Sequence, residues 1–244
     1  MIDVVALGEL LIDFTCQSVD AEGYPTMAAH PGGAPANFLA ALSRFGAKTA
    51  LLGKVGSDAF GHMLCATLQN AGIDTHGMLL SDDVFTTLAF VTLDEHGDRA
   101  FSFARKPGAD TMLRWEEVDK SIIDEARVFH FGTLSMTHEG VRKATLKAID
   151  AAKKAGAMIS FDPNLRPPLW DSLEDAAEQI HVGLGLCDIL KIADNEIEFM
   201  TGETDLDKGA AILQERYPNI KILNVTAGAD GSYSYSCGHR VFVP

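Results

Sequence analysis

Short apolar runs alternate with apolar stripes of helical period almost from end to end of this chain, and few folds accommodate that order. Ile2–Leu7, Thr49–Val55, Val128–Gly132, Met158–Asp162, Asp188–Ile192 and Ile220–Thr226 each read as a buried strand. Helical stripes lie between them. Phe38, Leu39, Leu42 and Phe45 share one face, with Pro35 in the first turn and Gly46 as the stop. Phe60, Leu64, Leu68 and Ala71 share another, opened by Asp58 and closed by Gly72. A third helix spans His138–Ala155 and ends at Gly156. Strands alternating with helices predict an α/β fold with a mainly parallel central sheet covered on both faces. In such sheets ligands bind beyond the carboxyl ends of the strands. The residues to inspect are therefore Gly8-Glu9, Asp162-Pro163-Asn164, Lys191 and Thr226-Ala227-Gly228.

Two stretches break the rhythm, at about 10–30 and 86–106. Leu10–Phe14 reads as a strand, and Thr87–Leu93 and Arg99–Arg105 flank the turn residues Asp94-Glu95-His96-Gly97-Asp98. Phe101 and Phe103 face one way, while Ala100, Ser102 and Ala104 face the other. These stretches predict a small β lid with one aromatic face, set on a single domain running from 1 to 244.

Several function classes are excluded. A formal charge of −14 disfavours nucleic acid and anionic membrane as partners. Charged residues, glycines and prolines break each apolar run well short of the roughly 20 residues a span needs. Met1-Ile2-Asp3-Val4-Val5 has no basic n-region, and the four cysteines have no C-x-x-C spacing, so a reduced, cytoplasmic protein is expected. The first strand is not followed by G-x-G-x-x-G. Gly46 and Gly53 stand too far apart for a P-loop, and Val55 replaces its hydroxyl residue. No paired-histidine spacing points to zinc.

One loop is more informative. Pro31-Gly32-Gly33-Ala34-Pro35-Ala36-Asn37 sets two glycines directly before a helix, where backbone can approach a ligand closely. Asn37, one turn in, offers a donor and an acceptor to a polyhydroxylated ligand. Read alone, the stretch fits a tight helix-entering loop equally well.

Gly32–Asn37, followed by Leu39-Ala40-Ala41-Leu42-Ser43-Arg44-Phe45-Gly46 and Leu52–Gly61, resembles the first signature of the PfkB, or ribokinase-like, carbohydrate kinases. Gly8-Glu9-Leu10-Leu11-Ile12-Asp13-Phe14, Phe103–Asp110 and Asp162–Trp170 are similar to the fructokinase branch. Asn195-Glu196-Ile197-Glu198 resembles the family N-x-x-E, and Val225–Gly231 its nucleotide-loop strand. The resemblance implies a ribokinase-like three-layer α/β/α fold and an ATP-dependent sugar kinase, a fructokinase acting at the 6-hydroxyl. A 2-keto-3-deoxy sugar acid or another ketose is the alternative substrate, and a catalytically incomplete sugar-binding fragment the alternative role.

Residue by residue, the resemblance implies sugar contacts from Asp13, Gly32, Gly33, Asn37, Phe103, Arg105, Asn164 and Arg166. Arg105 would also meet charge on the transferring phosphoryl group. Lys191, Asn195, Glu198, Thr226, Gly228 and Gly231 would serve the nucleotide, with Glu198 reaching Mg2+ through water. Without the resemblance, Asn195 and Glu198 read as a solvated helix face. ATP and Mg2+ are implied, a monovalent cation is admitted, and the lids are expected to pair in a homodimer. The family's catalytic aspartate lies in a second signature, D-T-x-G-A-G-D, expected beyond Pro244, so the 244-residue chain is expected to be inactive without it.

Overall fold

The computed structural model describes residues 1–93 and 99–244. The expected turn at 94–98 lies outside the described residues. The main sheet is built from β1 (Ile2–Leu7), β4 (Thr49–Gly56), β5 (Ile73–Asp74), β6 (Met78–Ser81), β9 (Ala126–Gly132), β10 (Met158–Asp162), β11 (Ile189–Ala193), β12 (Ile222–Thr226), β13 (Ser232–Ser236) and β14 (His239–Val243). Its order is β14-β13-β12-β11-β10-β9-β1-β4-β5, with β6 also paired to β4. From β12 to β5 neighbouring strands are parallel, and β13 and β14 close one side as an antiparallel hairpin.

Alternating side chains of each buried strand feed two hydrophobic layers. Val5, Leu7, Phe129, Phe131, Phe161 and Leu190 face α4 (Glu139–Ala155), α5 (Leu173–Leu186) and the helices α6 (Asp194–Thr201) and α7 (Leu206–Arg216). Val4, Ala6 and Leu51 face α1 (Ala34–Arg44) and α2 (Ala59–Asn70) through Leu39, Leu64 and Leu68. The short α3 (Lys120–Asp124) leads into β9.

The helix boundaries follow their chemistry. Asp58 Oδ1 accepts from the Phe60 and Gly61 amides, while its Oδ2 accepts from Thr86 N–H, tying the helix to the base of the lid. Gly46, Gly72 and Gly156 follow α1, α2 and α4 in left-handed conformation.

The lid is a separate four-stranded sheet of order β3-β2-β7-β8, from β2 (Leu11–Val19), β3 (Pro25–Gly32), β7 (Leu88–Leu93) and β8 (Arg99–Ala104). Phe14 anchors it, stacked on Phe90 at 5.3 Å and edge-on to Phe60 of α2 at 5.6 Å. Phe101 and Phe103 share the other face, and the exposed Ser102 and Ala104 point away from it, as the alternation predicts.

Candidate active site

The carboxyl ends of β1, β9 and β10 meet the lid around a cavity of about 140 Å³. Its walls include Asp13, Gly33, Asn37, Phe103, Asn164 and Arg166, six residues drawn from four separate stretches of sequence. Sequence reasoning singled out all six. Glu9, Leu11, Ala34, Phe101 and Leu134 complete the lining.

Asp13 sits where β2 leaves the core for the lid. Burial pushes its carboxyl up, while the Arg166 and His30 charges act to lower it. Gly32 does not line this cavity. A Cβ there would stand 2.3 Å from Asp13 Oδ2, so Gly32 makes room for the carboxylate. Gly33 has a φ of +114°, and a Cβ on it would meet the Glu9 carbonyl oxygen at 2.4 Å. Gly33→Ala is expected to lose about 1–3 kcal/mol of stability, measurable by urea unfolding, with weaker ligand binding.

Asn164 adopts a left-handed φ of 45° in the loop after β10. Its N–H donates to Asp162 Oδ1 at 3.2 Å, and the next amide, Leu165, donates to Glu196 Oε1 at 2.7 Å. Glu196 also accepts from Ala193 N–H at 2.8 Å, capping α6. Its neighbours suggest a solvated carboxylate, yet Glu196 is buried and holds the loop after β10. Arg166, at the end of that loop, lies over the Phe101 ring at 5.7 Å.

Arg105, expected to face the sugar, is 2% exposed and does not line this cavity. Its Nε and Nη2 both donate to Asp110 Oδ2, at 2.9 and 2.7 Å. Nη2 also donates to the Leu134 carbonyl, and Nη1 to Thr137 Oγ1. Asp110 Oδ1 accepts from Thr87 Oγ1. The guanidinium thus ties the lid's base to two 3-10 turns, Ala109–Met112 and Thr133–Met136. Its bond to the Leu134 carbonyl reaches the cavity wall, and it lines an adjoining cavity with Phe101 and Phe103.

The second set of residues follows β11 and β12, which pair at Ala193 and Thr226. Lys191 donates to Asp162 Oδ1 at 3.3 Å, linking this edge to the loop after β10. Asn195 and Glu198 are exposed, three residues apart on α6. Gly228 is open, with no atom within 4 Å of a built Cβ. Gly231 has a φ of +95° and its carbonyl accepts from Ala227 N–H, closing the loop after β12. Among the described residues, three or more His, Cys, Asp or Glu side chains nowhere gather around a point that could hold a metal. An exposed carboxylate and amide three residues apart on α6 suit a hydrated Mg2+ brought in on phosphates.

The sequence matches the pfkB family carbohydrate kinases over residues 1–244. The chain belongs to the pfkB family of carbohydrate kinases. Over 230 residues it is 44% identical to "Probable fructokinase-3" of Arabidopsis thaliana, covering 93% of this chain and 66% of the relative. Fructokinase with bound ATP from Xylella fastidiosa shares its fold with a TM-score of 0.89 and 34% identity, covering 100% of this chain and 78% of that one. An E. coli protein described as a Ribokinase II, in complex with ATP and Mg2+, superposes with a TM-score of 0.87 at 28% identity, again over 100% of this chain and 78% of that one. The chain spans 66% to 75% of the length of the curated relatives it matches. The pfkB fold accounts for both the mainly parallel sheet and the β lid.

Of the five wall residues the sequence left without a role, Glu9 and Phe101 bring a carboxylate and an aromatic ring. Glu9 was visible as a strand-exit residue, and Phe101 as the neighbour of Phe103 on the aromatic face. Burial pushes the Glu9 carboxyl up to about 7 against the opposing pull of its own and the Ala34 amide.

Proposed function

We propose that this chain provides the sugar site of an ATP-dependent fructokinase that phosphorylates the 6-hydroxyl. The observation that carries the reading is the meeting of one lid carboxylate, two asparagines, an arginine and two phenylalanines around a single small cavity. Asp13 accepts hydrogen bonds from sugar hydroxyls, Asn37 and Asn164 offer paired donors and acceptors, and Phe101 and Phe103 cover the apolar ring face. The lid closes over the bound sugar and keeps out water, the competing phosphoryl acceptor.

Lys191, Asn195, Thr226, Gly228 and Gly231 hold the nucleotide phosphates, and Glu198 holds Mg2+ through water. Bound Mg2+·ATP supplies the phosphoryl group and offsets its charge. None of the residues assigned here is the general base, and a monovalent cation is an optional ligand. Two observations fit lids that pair in a homodimer. Val19 and Tyr24 are exposed on the lid, and a groove of about 800 Å³ runs along Thr15, Gln17, Met27 and Val91. A cytoplasmic setting fits the four free cysteines, and among the described residues no helix is long and apolar enough to cross a membrane.

Asp13→Ala is expected to weaken fructose binding roughly tenfold to a hundredfold, read by titration calorimetry, with ATP affinity unchanged. Equal affinity for fructose in both proteins would remove the assignment. Arg166 at the cavity wall favours one second reading, a sugar acid whose carboxylate pairs with the guanidinium. Tighter binding of a 2-keto-3-deoxy sugar acid than of fructose would establish that reading.

A further inference from the structure

Helix α1 begins without a cap of its own. Its N-cap residue is Gly33, which has no side chain to accept a hydrogen bond, and its first turn contains no acidic residue. Pro35 removes one donor from that turn, and the first backbone bond of the helix runs from Asn37 N–H to the Gly33 carbonyl. The first of the remaining donors is met from outside. Glu9, in the connection between β1 and β2 and 25 residues away in sequence, accepts the Ala34 N–H on Oε1 at 2.9 Å. The two segments interlock sterically. A Cβ on Gly8 would stand 2.5 Å from Pro35 Cγ, and one on Gly33 would stand 2.4 Å from the Glu9 carbonyl oxygen.

Asn37, one turn into this helix, and Glu9 line the same cavity. We infer that Glu9 is a positioning residue of the sugar site: its carboxylate replaces the missing N-cap of α1, holds Asn37 against the sugar, and loosens that hold when it takes up a proton. The inference rests on the sugar reading of the cavity. A carboxylate at a helix N-terminus gains from the aligned N–H groups and the helix dipole, and a neutral carboxyl gains much less.

The charged groups around Glu9 are Arg105 and Asp110 at the lid base, which act in opposite directions on its proton, and Asp13 and Arg166 across the cavity. With the carboxyl pushed up to about 7, the latch is charged at pH 8 and mostly neutral at pH 6.

The test compares the wild-type chain with Glu9→Gln, which keeps an oxygen for Ala34 N–H and does not titrate. Fructose affinity of the wild type is expected to weaken roughly three- to tenfold more between pH 8 and pH 6 than that of Glu9→Gln. Hydrogen exchange read without sugar provides an independent arm. Corrected for intrinsic rates, the amides of Ala34 and Asn37 should lose protection at pH 6 in the wild type, through a local opening that breaks the Ala34 bond while Glu9 stays buried, and show no such change in Glu9→Gln. Identical pH dependence of exchange in the two proteins would overturn the latch. The same holds for identical pH dependence of sugar affinity. Fructose that binds at neither pH, with the exchange contrast intact, would support the latch and count against the sugar reading instead. Glu9→Gln is nearly isosteric and is chosen over Glu9→Ala so that a folded variant carries the comparison.

Discussion

Replacing Arg105 with alanine is expected to remove about 3–5 kcal/mol of folding stability, because it strands the Asp110 carboxylate in the interior. Both partners are almost fully buried, with side-chain exposures of 2% and 4%. Solvent therefore screens little of the loss, unlike at the exposed Lys120–Asp124 or Lys154–Asp150 pairs. The substitution also frees the Leu134 carbonyl from one donor and unties the lid's base from the 3-10 turn that precedes α4. Urea unfolding of Arg105→Ala and of the double variant Arg105→Met with Asp110→Leu separates the contributions. Removing both charges should restore much of the stability, since a buried pair contributes little over an apolar replacement of similar volume. Arg105→Lys provides a contrast with a direct electrostatic role. Lysine keeps the charge but cannot reproduce the fork onto Asp110, Leu134 and Thr137, so it should stay close to the alanine variant. A loss below about 1 kcal/mol in Arg105→Ala, or full rescue by lysine, would defeat the anchoring role.

Arg105 also illustrates where sequence stops informing. Its place after β8 and its spacing from Phe103 were legible, and the family resemblance implied that both face the sugar. Whether a guanidinium at a strand end reaches ligand or protein depends on what lies beneath it. The acceptors come from Asp110, Leu134 and Thr137, of which only Asp110 is near in sequence. Glu196 is similar, since acidic neighbours on a short helix resemble a solvated face until the Asp162–Arg166 loop folds over them.

What short-range rules govern was readable. The Asp58 cap, the glycine stops and the strand–helix order all depend on residues within a few positions of each other. The β13–β14 hairpin was missed for a local reason. Its two turn residues, Cys237 and Gly238, both have positive φ, at 50° and 76°. That geometry favours Asn-Gly or Asp-Gly, so cysteine in the first place gives a weak signal. The six cavity residues were found through their resemblance to known kinases, whereas Glu9 carries its role through a bond to Ala34 that spacing alone does not reveal.

Two buried groups should pull the response to acid in opposite directions. His130, on β9 beneath α1, is 4% exposed, lies 4.3 Å from the Phe38 ring and is 3.0 Å from Ser160 Oγ. Burial, aided by the Lys191 charge, pushes its imidazole down to about 3. The folded state therefore binds fewer protons than the unfolded chain, whose histidine titrates near 6.5. The stability it contributes is complete above pH 6.5 and is lost as pH falls toward 3, about 5 kcal/mol in all. Glu9 has the opposite sign. Its folded value of about 7 exceeds the ordinary 4.5, so folding gains about 3 kcal/mol as pH falls from 7 to 4.5 and nothing further below. Between about pH 6.5 and 4.5 the two slopes nearly cancel, and of these two groups only the histidine continues to lose stability below about 4.5. The joint contribution of these two groups to the unfolding free energy should accordingly vary little until about pH 4.5 and then fall. Glu9→Gln removes the opposing gain, so its decline should begin near pH 6.5, about two units earlier. His130→Gln keeps a polar partner for Ser160 and abolishes the histidine slope, so its stability should rise between about pH 7 and 4.5. Urea unfolding of the three proteins from pH 8 to pH 4 reads these slopes directly. The other carboxylates titrate alike in all three and drop out of the differences. A Glu9→Gln curve parallel to the wild type would place the ionisation of Glu9 outside this range, and a His130→Gln curve parallel to the wild type would do the same for the imidazole.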